Sequence, residues 1–150
     1  MKTIIRYQCE ICHNRDEDIT KILLCESKGI PDPNKIPLGL MYEYHHHGFV
    51  GIFAVSNVHK SSINPHYLTT TAWSARVPGL PQMSSKDDVC SGIDFISTTE
   101  EGLKEFAKEH HVTREKLNSK EFLRMKEFLI ENKITPSYYD ENGHLHYFKL

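Results

Sequence analysis

Three cysteines near the N-terminus have the type and spacing of metal ligands. Cys9 and Cys12 form a C-x-x-C pair, and Cys25 follows Cys12 after twelve intervening residues. A C-x-x-C turn lets two thiolates converge on one ion, and zinc prefers four soft or borderline ligands in a tetrahedron. The sequence therefore predicts a structural zinc site that contains Cys9, Cys12 and Cys25.

The fourth ligand of this site is less clearly marked. The segment 25–29 contains no second C-x-x-C and no nearby histidine. Cys90 is the first choice, because structural zinc held by four thiolates is common. His13 is disfavoured, since it adjoins Cys12 and would strain the turn. The alternatives to Cys90 are His13, His45, His46 and His47.

Two other interpretations of the cysteines remain open. Cys9 and Cys12 resemble a redox pair in spacing, but such a pair sits where a strand turns into a helix, and no helix signal directly follows Cys12. All four cysteines could also be buried thiols. Disulfides are not expected, because a reducing compartment favours metal ligands or free thiols.

A run of histidines offers a different kind of metal chemistry. In an extended strand His45 and His47 share one face with Glu43, and His59 and His66 lie in the loop region that follows. Two histidines and a carboxylate can hold a catalytic metal of the hydrolase type. The sequence has no H-E-x-x-H spacing, phosphate loop or G-x-S-x-G motif, so an enzyme is not the favoured interpretation.

Alternating apolar residues predict the elements that would position these side chains. Residues 40–47, 49–55 and 67–73 have the pattern of short strands, and the second of them is apolar on both faces. We expect it to be central in a small antiparallel sheet or barrel. The rest of 59–97 reads as a long mixed loop.

Helical signals dominate the next part of the chain. Thr98 and Glu101 form a capping box that predicts a helix to about residue 110, and a second helix is predicted from Ser119 to 135. Asn142-Gly143 lies between alternating residues, which predicts a closing β-hairpin with a two-residue type I′ turn. The predicted fold is α+β, with a zinc-ribbon-like metal segment at 1–37 and an α+β domain at 38–150.

The N-terminal motifs resemble those of a known group of proteins. The residues that carry the resemblance are Cys9, Cys12, the pair Cys25-Glu26, and the Gly29-Ile30-Pro31-x-Pro33 stretch before a β-rich run. Small bacterial and phage proteins combine a zinc-ribbon-like N-terminus of this kind with a small β-barrel. The resemblance covers about the first 55 residues, and Gly29 stands where that group often has a histidine. It implies an accessory or regulatory protein and no catalytic residues.

Charge and hydropathy narrow the classes of partner. The net charge is -2 and the basic residues are spread along the chain, which argues against binding of duplex nucleic acid. No stretch approaches the roughly 20 apolar residues that span a membrane, and residues 1–6 do not form a signal peptide. We therefore expect a cytoplasmic protein with no membrane contact.

A neutral zone and a charged zone follow each other in the chain. Residues 41–97 contain seven charged residues, whereas the shorter segment 98–134 contains sixteen. The neutral zone includes Tyr44 and Trp73, which suits a partner surface or a homo-oligomer contact, although Trp73 also suits a core position. The favoured function is a zinc-stabilised binding or regulatory protein that contacts a protein or a small ligand.

Two alternative functions stay open at this point. One is the histidine-dependent metalloenzyme described above. The other is a single-stranded nucleic-acid binder, which the scarcity of Lys and Arg in the neutral zone disfavours. Its stacking residues would be Tyr42, Tyr44, Phe49 and Trp73.

Overall fold

The computed structural model describes residues 1–46, 49–75 and 89–149, and this part of the chain combines α-helices with two β-sheets. The α+β class is therefore confirmed. The helices are α1 (Ile19–Ser27), α2 (Glu100–Glu109) and α3 (Lys120–Glu131). The strands are β1 (Tyr7–Gln8), β2 (Arg15–Asp16), β3 (Leu40–His46), β4 (Phe49–Lys60), β5 (Leu68–Ala75), β6 (Val89–Thr98), β7 (Ser137–Tyr139) and β8 (Leu145–Tyr147).

The larger sheet is mixed. Its strand order is β6-β5-β4-β3-β7-β8, while β1 and β2 form a small separate sheet. All neighbouring pairs in the larger sheet are antiparallel except β3 and β7, which are parallel, with Leu40 opposite Ser137. The sequence predicted an antiparallel sheet or barrel. The structure differs from this prediction because the C-terminal strand β7 pairs in parallel with β3, which makes the sheet mixed.

The two faces of the larger sheet bury different helices. Successive side chains of a strand point to opposite faces. In β3, Leu40 and Tyr42 pack with Leu103 of α2, while Met41 packs in the other cluster with Phe122 of α3. The sheet is therefore a middle layer between α2 and α3, which explains why its central strands carry few charges.

Trp73 of β5 belongs to the α3 side of this sandwich. Its ring meets the ring of Phe128 edge to face, with centroids 5.3 Å apart. This geometry is the favourable one for two aromatic rings. The contact fits the core interpretation of Trp73.

The start of α2 differs by one residue from the predicted capping box. Thr98 ends β6, where it pairs with Leu68, so it takes part in the sheet rather than in the cap. The hydroxyl of Thr99 accepts the cap hydrogen bond from the Gly102 backbone N–H at 3.1 Å. At α3 the cap is Ser119, as predicted, with the Phe122 N–H donating to its hydroxyl.

The two longest elements that the sequence did not predict are α1 and β6. The helix α1 begins after Asp18, whose carboxylate accepts a hydrogen bond from the Thr20 N–H at 2.9 Å. The strand β6 lies inside the segment that was expected to be loop. A register shift between Ala72 and Trp73 interrupts its pairing with β5, which weakens any simple alternation in the sequence.

The turn between β7 and β8 is longer than a two-residue type I′ turn. Tyr139 pairs with Leu145, and in the intervening segment Gly143 has a φ of 77° while Asn142 does not have a positive φ. The Asp140 carboxylate accepts hydrogen bonds from the N–H groups of Asn142 and His144, at 2.9 and 3.0 Å. An aspartate that caps its own turn in this way removes the need for two positive φ angles.

None of the helices in the described part of the chain has the length and apolar character required to cross a bilayer.

Candidate metal centre

A tight turn between β1 and β2 carries the first two cysteines. The Cys9 N–H donates to the Asn14 carbonyl at 2.8 Å, and the His13 N–H donates back to the Cys9 carbonyl at 2.9 Å. His13 has a φ of 64°, which lets the chain reverse after Cys12. The His13 ring lies against the Gln8 amide, 3.1 Å from Nδ1 to Nε2. The turn thus offers Cys9 and Cys12 as the C-x-x-C pair.

Cys25 reaches the same place from the last turn of α1. Ile22 is buried, and a residue three positions later lies on the same side of a helix. The Glu26 carboxylate accepts a hydrogen bond from the Glu10 N–H at 3.2 Å, which ties the end of α1 to the cysteine turn. The helix therefore presents Cys25 toward Cys9 and Cys12.

The fourth residue of the cluster is His66, from the turn between β4 and β5. Its backbone N–H donates to the Asn64 side-chain oxygen at 3.0 Å, and its ring is 2% exposed. Nε2 lies 3.5 Å from the Cys9 Sγ and 3.4 Å from the Cys25 Sγ. His66, which is distant from the cysteines in sequence, thus adds an imidazole nitrogen to the three thiols.

The distances among these four atoms suit one metal ion. The Sγ atoms of Cys12 and Cys25 are 3.4 Å apart, and all four ligand atoms lie within 4.8 Å of one another. Bonds of about 2.3 Å to sulfur and about 2.0–2.1 Å to nitrogen place tetrahedral ligands roughly 3.5–3.8 Å apart. Cys9, Cys12, Cys25 and His66 therefore form a candidate metal site.

The orientation of the His66 ring is set by its second nitrogen. Nδ1 lies 2.8 Å from the Gly29 carbonyl oxygen, to which the N–H at Nδ1 donates. With the proton on Nδ1, the lone pair of Nε2 faces the cysteines. A backbone carbonyl that fixes the tautomer in this way is the usual second partner of a metal-binding histidine.

The thiols at the cluster differ in acidity. Burial raises the pKa of Cys9, but hydrogen bonds, the largest of them from the N–H groups of Cys12 and Ile11, outweigh it and bring the pKa to about 6. Burial and the neighbouring sulfurs of Cys12 and Cys9 raise the pKa of Cys25 to about 11. A second negative charge beside the Cys9 thiolate is therefore costly, and a divalent cation among the sulfurs would offset that cost.

Cys90, the predicted fourth ligand, lies elsewhere in the sheet. Its backbone is opposite Ser74, whereas His66 lies two residues before Leu68, at the other end of β5. The six steps along the strand from Leu68 to Ser74 span about 20 Å at roughly 3.3 Å per residue. The Cys90 side chain itself is outside the described residues, and within those residues His66 takes the fourth position.

The strand that carries His45 and His46 also lies away from the cluster. His46 pairs with Phe49 at the start of β4, and β4 runs on to Lys60 before the turn that carries His66. That strand spans roughly 30 Å or more. His47 and the side chains of His45 and His46 fall outside the part of the chain that the structure describes.

Glu43, the carboxylate expected beside the histidines, has a different partner. Its Oε1 accepts hydrogen bonds from the N–H and the hydroxyl of Thr113, at 2.7 and 2.8 Å. The Glu43 N–H donates to the His110 carbonyl at 2.9 Å. These bonds connect β3 to the segment after α2. They give the Glu43 carboxylate a structural role, so its charge needs no metal ion as a partner.

Sequence reasoning missed His66 as a partner of the cysteines for a simple reason. It follows Cys25 by 41 positions, the strands β3 and β4 lie between the two residues, and no zinc spacing rule links residues that far apart. The signal that points to it is Asn64-Pro65, a turn-forming pair directly before a histidine.

Comparison with known proteins leaves the family open. No family model matches the chain, and neither the curated proteins nor the solved structures contain a match. The resemblance to zinc-ribbon-like bacterial and phage proteins therefore stays a prediction.

Proposed function

We propose that this protein is a zinc-stabilised binding or regulatory protein, with one structural zinc ion held by Cys9, Cys12, Cys25 and His66. The observation that carries the proposal is the convergence of three Sγ atoms and one imidazole Nε2 within 4.8 Å of one another. Three separate segments of the chain supply these atoms, and each residue is buried or partly buried.

The donor set favours zinc in a structural role. Thiolates and imidazole suit zinc better than magnesium or calcium, which prefer oxygen ligands. A structural zinc ion has four protein ligands, whereas a catalytic zinc ion keeps one position for water. Cys9, Cys12, Cys25 and His66 fill all four positions, which supports a structural ion.

The N-terminal segment has little else to hold it together. In residues 1–35 the buried apolar side chains are Cys9, Ile22 and Pro31. A core this small cannot offset the conformational entropy of ordering the segment. A bound metal contributes its binding free energy directly to folding, so zinc would supply what the core lacks.

Exposed apolar side chains support a binding role. Most of the large hydrophobic side chains that are exposed in the described part of the chain lie in the first 38 residues or beside the His66 turn. Such a concentration is typical of a surface that another molecule covers. These residues are Met1, Ile4, Ile5, Tyr7, Ile19, Leu23, Leu24, Ile30, Leu38 and Ile63.

The alternative functions have less support. The metalloenzyme would need Glu43 as a ligand, but that carboxylate is bonded to Thr113. The single-stranded nucleic-acid binder would need free aromatic faces. Tyr42 is 3% exposed and stacks on Phe53, and Trp73 packs on Phe128.

Metal analysis of the purified protein tests the zinc site. We expect one zinc ion per chain in the native protein and loss of that ion in Cys12→Ser and in His66→Ala. The matched controls are Cys90→Ser and His59→Ala, which change a cysteine and an exposed histidine outside the cluster. Zinc that survives His66→Ala but is lost in Cys90→Ser would contradict the assignment.

Sedimentation tests whether the exposed apolar surface binds a second copy of the chain. Leu23 and Leu24 of α1 are 57% and 63% exposed, so changing both to serine should leave zinc content and melting unchanged. We expect the double variant to sediment as a lighter species than the native protein. Leu123→Ser on α3, which is 49% exposed, is the control. Identical sedimentation of all three proteins would remove support for self-association through α1.

A further inference from the structure

We propose that the zinc site is also a peroxide-sensitive switch, in which Cys12 and Cys25 form a disulfide and release the metal. This inference rests on the zinc site proposed above and adds its regulation. It comes from the difference in exposure among the three thiols, together with the short distance between the sulfurs of Cys12 and Cys25.

The cysteines are not equally accessible to an oxidant from solvent. Cys9 has no exposed surface, whereas Cys12 and Cys25 are only partly buried. Oxidation of a cysteine depends on access as well as on thiolate character. Of the three cysteines, Cys12 and Cys25 are therefore the ones with surface open to solvent.

The same two sulfurs are well placed to react with each other. The sulfur atoms of Cys12 and Cys25 are 3.4 Å apart, within a cluster whose four ligand atoms all lie within 4.8 Å of one another. A disulfide requires an S–S distance of about 2.05 Å. Cys12 lies in the turn between β1 and β2 and Cys25 in the last turn of α1, so closure brings two sulfurs from different elements about 1.4 Å closer together.

The reaction balances with a hydroperoxide as the oxidant. One thiolate attacks a peroxide oxygen, the O–O bond breaks, and a sulfenic acid and a hydroxide ion form. The second thiolate attacks the sulfenic sulfur, the S–S bond forms, and a second hydroxide ion leaves. With hydrogen peroxide, two protons convert the hydroxide ions to two waters. The two sulfurs together lose two electrons, and the peroxide gains them.

Loss of both thiolates leaves the metal with too few ligands. After oxidation the cluster retains only Cys9 and His66, and a structural zinc ion needs four protein ligands. The ion therefore leaves, and His66 is no longer linked through it to the cysteine turn and α1. Reduction of the disulfide restores the four-ligand site when zinc is present.

The test uses the full chain in its zinc-loaded form and hydrogen peroxide. Zinc release is followed with a chromophoric chelator, and disulfides are mapped by mass spectrometry of unreduced peptides. We expect loss of one zinc ion per chain, formation of one Cys12–Cys25 disulfide, and recovery of both after dithiothreitol and added zinc. No substitution inside the cluster is needed, so a folding defect cannot mask the result.

Cys90→Ser is the control, and it should respond to peroxide as the native protein does. Retention of zinc under peroxide contradicts the switch, as does a disulfide that joins Cys9 to Cys12 or involves Cys90. These outcomes leave the structural zinc site intact. A purified protein that holds no zinc contradicts the site and the switch together.

Discussion

The Nδ1 atom of His66 lies 2.8 Å from the carbonyl oxygen of Gly29, so the residue that leads the chain away from α1 also orients the imidazole. Gly29 has a φ of 63°, and a Cβ built there meets no atom within 4 Å. Any effect of a side chain at this position is therefore a backbone effect. It should reach the metal site through the carbonyl that His66 contacts.

Substitution of Gly29 tests this link. Gly29→Val places a β-branched residue at positive φ, which we expect to cost about 1–2 kcal/mol of stability and to weaken zinc binding. Gly29→Asn is the matched control, because asparagine tolerates that conformation. Chelator competition measures zinc affinity, and urea unfolding measures stability. Equal zinc affinity in Gly29→Val and Gly29→Asn would show that the Gly29 carbonyl does not influence the metal site.

Removal of the metal should loosen one part of the protein selectively. With a chelator we expect a lower melting temperature, since a ligand that binds only the folded state stabilises it. Hydrogen exchange should rise in 7–30 and in 61–67, which carry the four ligands. The helix α3 should keep its protection, because Phe122, Met125 and Leu129 are buried in the main core. A uniform rise across the chain would argue against a local role for the metal.

The turn between β7 and β8 should give stability a dependence on acid pH. The His146 side chain at 2.6 Å, together with the N–H groups of His144 and Asn142, lowers the pKa of Asp140 from 3.8 to about 2. A carboxyl whose folded pKa is lowered stabilises fully above about pH 4 and loses that contribution as pH falls toward 2. Asp140→Asn should therefore be less stable at pH 6 and differ less from the native protein near pH 2. Urea unfolding at several pH values checks this, with the neighbouring Glu141→Gln as control.

Trp73 should matter for stability. Its edge-to-face contact with Phe128 and its partial burial predict that Trp73→Ala lowers the free energy of unfolding by roughly 2–4 kcal/mol. A double-mutant cycle with Phe128→Ala should show a coupling of about 0.5–1.5 kcal/mol. Unfolding in guanidinium chloride provides both values. If Trp73→Ala changes the free energy of unfolding by less than about 0.5 kcal/mol, the core role of Trp73 is contradicted and a surface role is favoured.

Local patterns predicted the parts of this protein that depend on neighbours in sequence. The cap at Ser119 and the alternation of β5 are set by residues within a few positions, and the structure contains both. The C-x-x-C turn is local as well, and it brings Cys9 and Cys12 into one cluster. Cys25 joins because its helix face also carries the buried Ile22.

The features that were missed depend on contacts between distant segments. His66 reaches the cysteines only because β4 and β5 place their connecting turn beside α1, which no local spacing encodes. Cys90 suited the chemistry of zinc, but strand register puts it opposite Ser74. The strand β6 is defined by its pairing with β5, since its own sequence lacks a clean alternation.

The parallel pairing of β3 with β7 delays completion of the sheet. Leu40 forms this pairing with Ser137, so β3 has only β4 as a neighbour until a segment from the far end of the described chain arrives. Closing so long a loop raises the contact order, and folding slows as contact order rises. During synthesis, β3 would leave one row of backbone N–H and C=O groups unpaired, and such an edge is prone to join other chains. A ribosome-bound chain that lacks residues 137–147 should therefore depend on chaperones more than the finished protein does.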